Sequence, residues 1–131
     1  EAARCAQELG RDALALRLLR RAAKLRPDDL ETRFQLALLA ERLGRDAELE
    51  AAYKALLALD PDFVPAYHNL GSHYMRGGRY REAEAMFRAI LSRAPGFARA
   101  TLGLDIALEH LGRPAEALVQ YRAFLERKPQ A

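Results

Sequence analysis

The sequence predicts an all-α chain: a solenoid of antiparallel helix pairs with a 34-residue period. Three observations predict it. First, one step of 34 carries Gly10 onto Gly44, Gly78 and Gly112, and Pro27 onto Pro61, Pro95 and Pro129. The same step carries Leu19 onto Tyr53, Phe87 and Tyr121, and Ala15 onto Leu49, Ala83 and Ala117. A fixed period that preserves glycine, bulky apolar and proline places marks a repeat array. Second, apolar residues between these marks recur at helical spacing. Third, no alternating run or hairpin dipeptide reads as a strand.

Taken in order, residues 1–9 read as the tail of a helix that stops at Gly10, because glycine tolerates a left-handed cap. Asp12 to Leu25 reads as the next helix, with Leu14, Leu18, Leu19, Ala22 and Leu25 in its pattern. Pro27 ends it, and Asp28 or Asp29 is placed to cap the following helix by accepting orphan backbone N–H groups.

The second repeat carries Leu36, Ala37, Ala40 and Leu43 on its leading helix, then Leu49, Tyr53, Leu56 and Leu57 on its trailing helix. Asp46 sits in the first turn of that trailing helix, where the helix dipole favours an acid. The third repeat sets Tyr67, Leu70, Gly71 and Tyr74 against Ala83, Phe87, Ile90 and Leu91. The fourth sets Leu104, Leu108 and Leu111 against Ala117, Tyr121, Phe124 and Leu125, with Pro114 at a helix start where a missing N–H costs nothing. Two helices per 34 residues, joined by short turns, pack antiparallel. One pair buries too little alone, so neighbours stack.

The residues Tyr67, Leu70, Gly71, Tyr74, Ala83, Phe87 and Pro95 resemble the tetratricopeptide repeat pattern. The likeness runs over the whole chain as one array, 1–131, in repeats of about 1–29 (partial), 30–63, 64–97 and 98–131. It implies a right-handed α-α superhelix. Departures are Ala37 and Asp105 where glycine is usual, Leu49 where alanine is usual, and Ile90 and Phe124 where alanine is common. Asp105 sets a requirement, since a carboxylate at a close helix contact needs a hydrogen-bond partner or water. Pentatricopeptide relatives, with a step of 35 and more basic grooves, fit less well.

The resemblance further implies a non-enzymatic scaffold that binds a peptide or helix of a partner protein in a concave groove lined by the leading helices. Phe34, Leu38 and Arg42, with Glu41, share one helix face in the second repeat. His68, Ser72 and Arg76, with Met75, occupy the same places in the third, and Leu102, Ile106 and His110, with Glu109, in the fourth. Gln35, Asn69 and Gly103 form a parallel row, in which the Asn69 amide is suited to hydrogen-bond an extended backbone. Gly103 there either lets a ligand backbone approach or is a tolerated surface glycine. The carboxylate clamp of chaperone-binding members is not reproduced. Asn69 and Arg99 fit it, whereas Phe34, Leu38 and Gly103 stand where a Lys, an Asn and an Arg would be. An apolar groove instead suits an amphipathic helix or an extended segment with apolar anchors.

Other chemistry finds little support. His68 and His73 are five residues apart, about 140° around a helix, so they do not share a ligand site. His110 stands alone, and neither a metal nor a cofactor is expected. Gly77-Gly78 is a helix stop, not a phosphate loop. Cys5 is the sole cysteine, which excludes an internal disulfide. A net charge of +3, with 21 basic and 18 acidic residues interspersed, gives no pull toward nucleic acid. No apolar run approaches membrane-spanning length. The preponderance of arginine among the bases hints at a GC-rich bacterial genome, and the compartment stays unassigned.

A basic ladder, Arg20, Lys54, Arg88 and Arg122, recurs on the trailing helices and extends to Arg17, Arg21 and Lys24 in the first repeat. The i, i+4 partners Glu50 and Glu84 mark it as a solvated, ion-paired face. The chain begins inside a helix and stops after a trailing one, which predicts an excised piece of a longer array with a stacking surface at each end. The alternative function is therefore a structural spacer, or self-association through those open ends.

Overall fold

A computed structural model describes the backbone of residues 2–127 and the side chains of residues 7–127; Cys5 and Pro129 lie outside the described side chains. Seven α-helices and no strand occur among these residues: α1 (Ala2–Leu25), α2 (Leu30–Arg42), α3 (Asp46–Leu59), α4 (Val64–Arg76), α5 (Tyr80–Arg93), α6 (Ala98–His110) and α7 (Pro114–Glu126). They form two compact units, Glu1–Phe63 and Val64–Ala131. The first holds α1–α3 and the second α4–α7.

Three of the predicted stops share one geometry. Gly44, Gly78 and Gly112 take φ of +71°, +73° and +75°, a region that penalises any side chain bearing a Cβ. The following N–H then reaches back five residues: Arg45 to Ala40 at 2.8 Å, Arg79 to Tyr74 at 2.9 Å and Arg113 to Leu108 at 2.8 Å. Each glycine N–H bonds three residues back, which completes the Schellman pattern and satisfies carbonyls the helix leaves unpaired. At the opposite ends, Asp29 rather than Asp28 caps α2, accepting from the Glu31 N–H at 3.1 Å and the Thr32 hydroxyl at 2.9 Å. Pro114 occupies the first turn of α7.

Gly10 departs from the expected stop. It lies within the continuous helix α1, although Leu9-Gly10-Arg11-Asp12 matches Leu43-Gly44-Arg45-Asp46 residue for residue. A glycine permits the left-handed turn but does not enforce it. The turn forms where a full apolar face folds back on its partner, as the 13 residues of α2 do on α3.

The core of the first unit is Leu16 and Ala23 of α1, Leu36, Ala37, Leu39 and Ala40 of α2, and Leu49, Ala52, Tyr53 and Leu56 of α3. In the second unit Ala66, Leu70 and Tyr74 of α4 meet Ala83, Phe87 and Ile90 of α5. Ala100, Leu104, Ala107 and Leu108 of α6 and Ala117 of α7 continue it.

Phe87 is clasped by two glycines. A Cβ placed on Gly71 would lie 2.9 Å from its ring, and one on Gly103 would lie 2.6 Å from it. Gly103 is therefore neither an open approach for a ligand nor a surface glycine. Its missing side chain admits the Phe87 ring, so the predicted row of Gln35, Asn69 and Gly103 is a packing position at its last member. Asp105 sits half-exposed and keeps access to water, which meets the demand raised by a carboxylate in a glycine place. No buried side-chain N or O among the described residues lacks a hydrogen-bond partner.

Ion pairs tie helices within each unit. Arg20 of α1 grips Glu48 of α3 through two nitrogens, and Arg42 of α2 meets Asp12 of α1 at 2.8 Å. In the second unit Glu84 of α5 accepts from Arg88 at 2.9 Å and from Arg113, at the start of α7, at 2.8 Å. The hydrogen bond from Arg20 holds the Glu48 carboxyl below its ordinary value. Partial burial pushes the Glu84 carboxyl up, but the bonds from Arg88 and Arg113 outweigh it and the net shift is downward.

Three tests follow from this packing. Gly103→Ala is expected to cost about 1–3 kcal/mol by overpacking Phe87. Phe87→Leu in the same chain should recover part of that loss in a urea-denaturation cycle. Gly10→Ala is expected to stabilise and Gly44→Ala to destabilise, each by roughly 1 kcal/mol, because only the second glycine has a positive φ. Finally, both carboxyls bind protons less readily when folded. Their pairs therefore stabilise fully above the ordinary value of 4.5 and are lost as pH falls through the lower folded value. Melting temperature should drop below that pH, and Glu84→Gln should flatten the drop.

Candidate functional site

The faces predicted to bind a partner lie on α2 in the first unit and on α4 and α6 in the second. In the second unit α4 and α6 are neighbours, with α5 packed against both. This follows from sequence: Leu70 and Gly71 on α4, and Ala100, Gly103 and Leu104 on α6, turn small and apolar surface toward α5. Other residues flank that surface.

Among the latter, α6 presents Arg99, Leu102, Ile106 and His110 at i, i+3, i+7 and i+11, one continuous stripe. Arg99 and His110 are exposed, Leu102 keeps 60% of its surface open and Ile106 36%. Exposed leucine and isoleucine on one helix face, bracketed by a cation and an imidazole, form a short amphiphilic surface. His110 is not isolated as its sequence position suggested: its ring stacks on Tyr80 with centroids 4.3 Å apart and planes 3° from parallel. That contact fixes the end of the stripe against the start of α5.

On α4, His68, Ser72 and Arg76 share a face at i, i+4 and i+8, with Asn69 beside them. His68, Asn69 and Ser72 are half-buried and Arg76 is exposed. The His68 ring leans on Phe97 at 6.1 Å, so the residue preceding α6 helps to orient a side chain on α4. Tyr67, one of the pattern residues, lies under the Arg93 guanidinium at 5.0 Å.

In the first unit α2 brings Phe34, Leu38 and Arg42 to one face. Phe34 is half-buried: its ring meets Phe63 edge-on at 5.3 Å and tilts toward Tyr53 at 6.4 Å. Much of that ring therefore serves packing within the unit, a contact that the helical spacing of α2 alone does not reveal. Leu38 is exposed, and the exposed Gln35 donates to Glu31 at 2.9 Å. Arg42 is held by Asp12, a pairing across 30 residues that no local pattern indicates.

Among the described residues no group of three or more His, Cys, Asp or Glu side chains is placed to hold a metal ion. Nor is any helix there long and apolar enough to cross a membrane.

Comparison with known proteins agrees with this architecture. Tetratricopeptide repeat profiles match residues 30–63 and 68–131. A search of curated proteins found no match. Among solved structures, a crystal structure of MamA protein is similar with a TM-score of 0.79 and 24% identity, covering 93% of this chain and 67% of that one. A second MamA crystal structure gives the same score and identity over 93% and 71%. The double mutant of MamA RS-1 gives 0.77 and 23% over 97% and 71%. At these identities the likeness speaks for the fold.

Proposed function

Because the chain belongs to the tetratricopeptide repeat family, whose domains are generally protein-interaction modules and typically non-catalytic, we propose that it is a non-enzymatic scaffold that takes a peptide or helix of a partner protein against its leading helices. The observation that carries this reading is the stripe on α6. Leu102 and Ile106 are exposed at helical spacing between Arg99 and His110. Apolar anchors flanked by polar groups are what an amphipathic helix or extended segment docks against. His68, Asn69, Ser72 and Arg76 on α4 supply hydrogen-bonding groups on the neighbouring leading helix. On α2 the corresponding surface is Leu38, Gln35 and Arg42, with the outer edge of Phe34.

A second reading, a spacer that associates through its ends, draws on α7. Leu118, Tyr121 and Leu125 lie at i, i+3 and i+7 and are exposed together.

The two readings part experimentally. Leu102→Asp with Ile106→Asp is expected to lower capture of the partner at least about tenfold, since each removes an apolar anchor and introduces an unpaired charge. The melting temperature should stay near that of the unaltered chain, because both residues are exposed. If capture survives while Tyr121→Glu alters a concentration-dependent mass in sedimentation, the spacer reading replaces the scaffold.

A further inference from the structure

At one place in the repeat, α6 has a short side chain where the earlier leading helices have long ones. A step of 34 takes Arg33 of α2 onto Tyr67 of α4, and Tyr67 onto Thr101 of α6. Tyr67 lies under the Arg93 guanidinium, which stands 5.0 Å from its ring centre. Thr101 is buried, and its hydroxyl donates to the Phe97 carbonyl at 3.4 Å. The space that a ring would take there is an open pocket of about 110 Å³, bordered by the end of α5, the start of α6 and the end of α7.

The lining keeps the features of a ring site. Leu91, Pro95 and Phe124 supply apolar surface, and Thr101, Gln120 and Arg127 supply the polar part. Arg127 is one step of 34 beyond Arg93, so the cation that covers Tyr67 has its counterpart here with no ring beneath it. It is exposed and has neither an ion pair nor a ring partner among the described residues. Gln120 takes the place of Met86. Its half-buried amide makes no hydrogen bond among the described residues and offers both a donor and an acceptor. A closed apolar cavity of about 150 Å³ admits benzene. This pocket is smaller but open, so a ring can project from it as the half-exposed Tyr67 projects from its own place. Continuation of the chain does not close such a place. Beyond Arg93 the chain turns through Pro95 into α6, and Tyr67 still keeps part of its surface open.

We infer that this pocket takes the tyrosine ring of a partner protein, at a site distinct from the exposed stripe of α6. The ring lies under Arg127 as Tyr67 lies under Arg93, a contact that favours an aromatic over an aliphatic side chain. The Gln120 amide bonds the phenol hydroxyl and so favours tyrosine over phenylalanine. A pocket for one ring gives a free phenol few contacts, whereas a ring carried by a protein adds to a contact that continues outside. A side chain is therefore the occupant. The site stands whether or not the leading-helix faces bind a partner.

The test titrates the 131-residue chain with blocked tripeptides Gly-Tyr-Gly, Gly-Phe-Gly and Gly-Leu-Gly, and with free p-cresol, followed by amide NMR shifts. Saturable shifts centred on Thr101, Gln120 and Arg127 are expected, with the tyrosine peptide at least about threefold tighter than the leucine one. Arg127→Ala should remove that preference, and Gln120→Met should erase the preference for tyrosine over phenylalanine. Both are expected to leave the melting temperature near that of the unaltered chain. Thr101→Tyr, which installs the residue of the third repeat, should abolish binding and raise the melting temperature. The two rim variants carry the test if that chain fails to fold. Equal binding of the tyrosine and leucine peptides, no saturable shift with the tyrosine peptide, or rim variants without effect would overturn the proposal. Saturation by p-cresol without binding of the tyrosine peptide would assign the pocket to a free phenol and would equally overturn it.

Discussion

The packing of the second unit depends on the insertion of one aromatic ring between two helices that have surrendered their side chains. Phe87 rises from α5, and Gly71 on α4 and Gly103 on α6 meet it with bare backbone. A ring of that size contributes a large apolar area, but only if the helices around it come close enough to leave no void. The two glycines make that approach possible at a cost of roughly 1 kcal/mol each in helix propensity. The spacing of α4 and α6 along α5 is thus set by a ring thickness. Because the exposed stripe of α6 lies on the same helix as Gly103, the buried contact also orients the surface offered to a partner.

Much of this was legible in the residues. Glycine stops at 44, 78 and 112 were readable because each requirement is local: one residue takes a left-handed φ and the next N–H bonds back. Gly71 as a recess for Phe87 was readable because both lie in one helix pair. Gly103 was misread because its partner lies in the preceding pair, and periodicity within α6 does not say which neighbour a face meets. Gly10 was misread for a different reason. Its tetrapeptide equals that of Gly44, so the difference lies outside the motif.

For the candidate site, helical spacing groups residues by face but does not grade their exposure. Leu38 and Phe34 share a face of α2, yet one is open and the other leans on Phe63, a residue beyond the end of α3. Likewise the stacking of His110 on Tyr80 joins two helix ends 30 positions apart, and nothing in either local sequence foretells it. Ring contacts and long-range ion pairs such as Arg42–Asp12 depend on how helices meet, which is decided by packing rather than by pattern.

The three glycine turns carry one more implication, for how freely such a chain changes over time. Each turn is closed by main-chain N–H and carbonyl groups that every residue type possesses, and only the glycine itself is required by its conformation. The surrounding residues answer to a loose demand for apolar volume, as Leu49 in an alanine place and Asp105 in a glycine place illustrate. A fold held this way lets its surface sequence wander while its backbone stays put. A TM-score of 0.79 alongside 24% identity is the outcome such a construction permits.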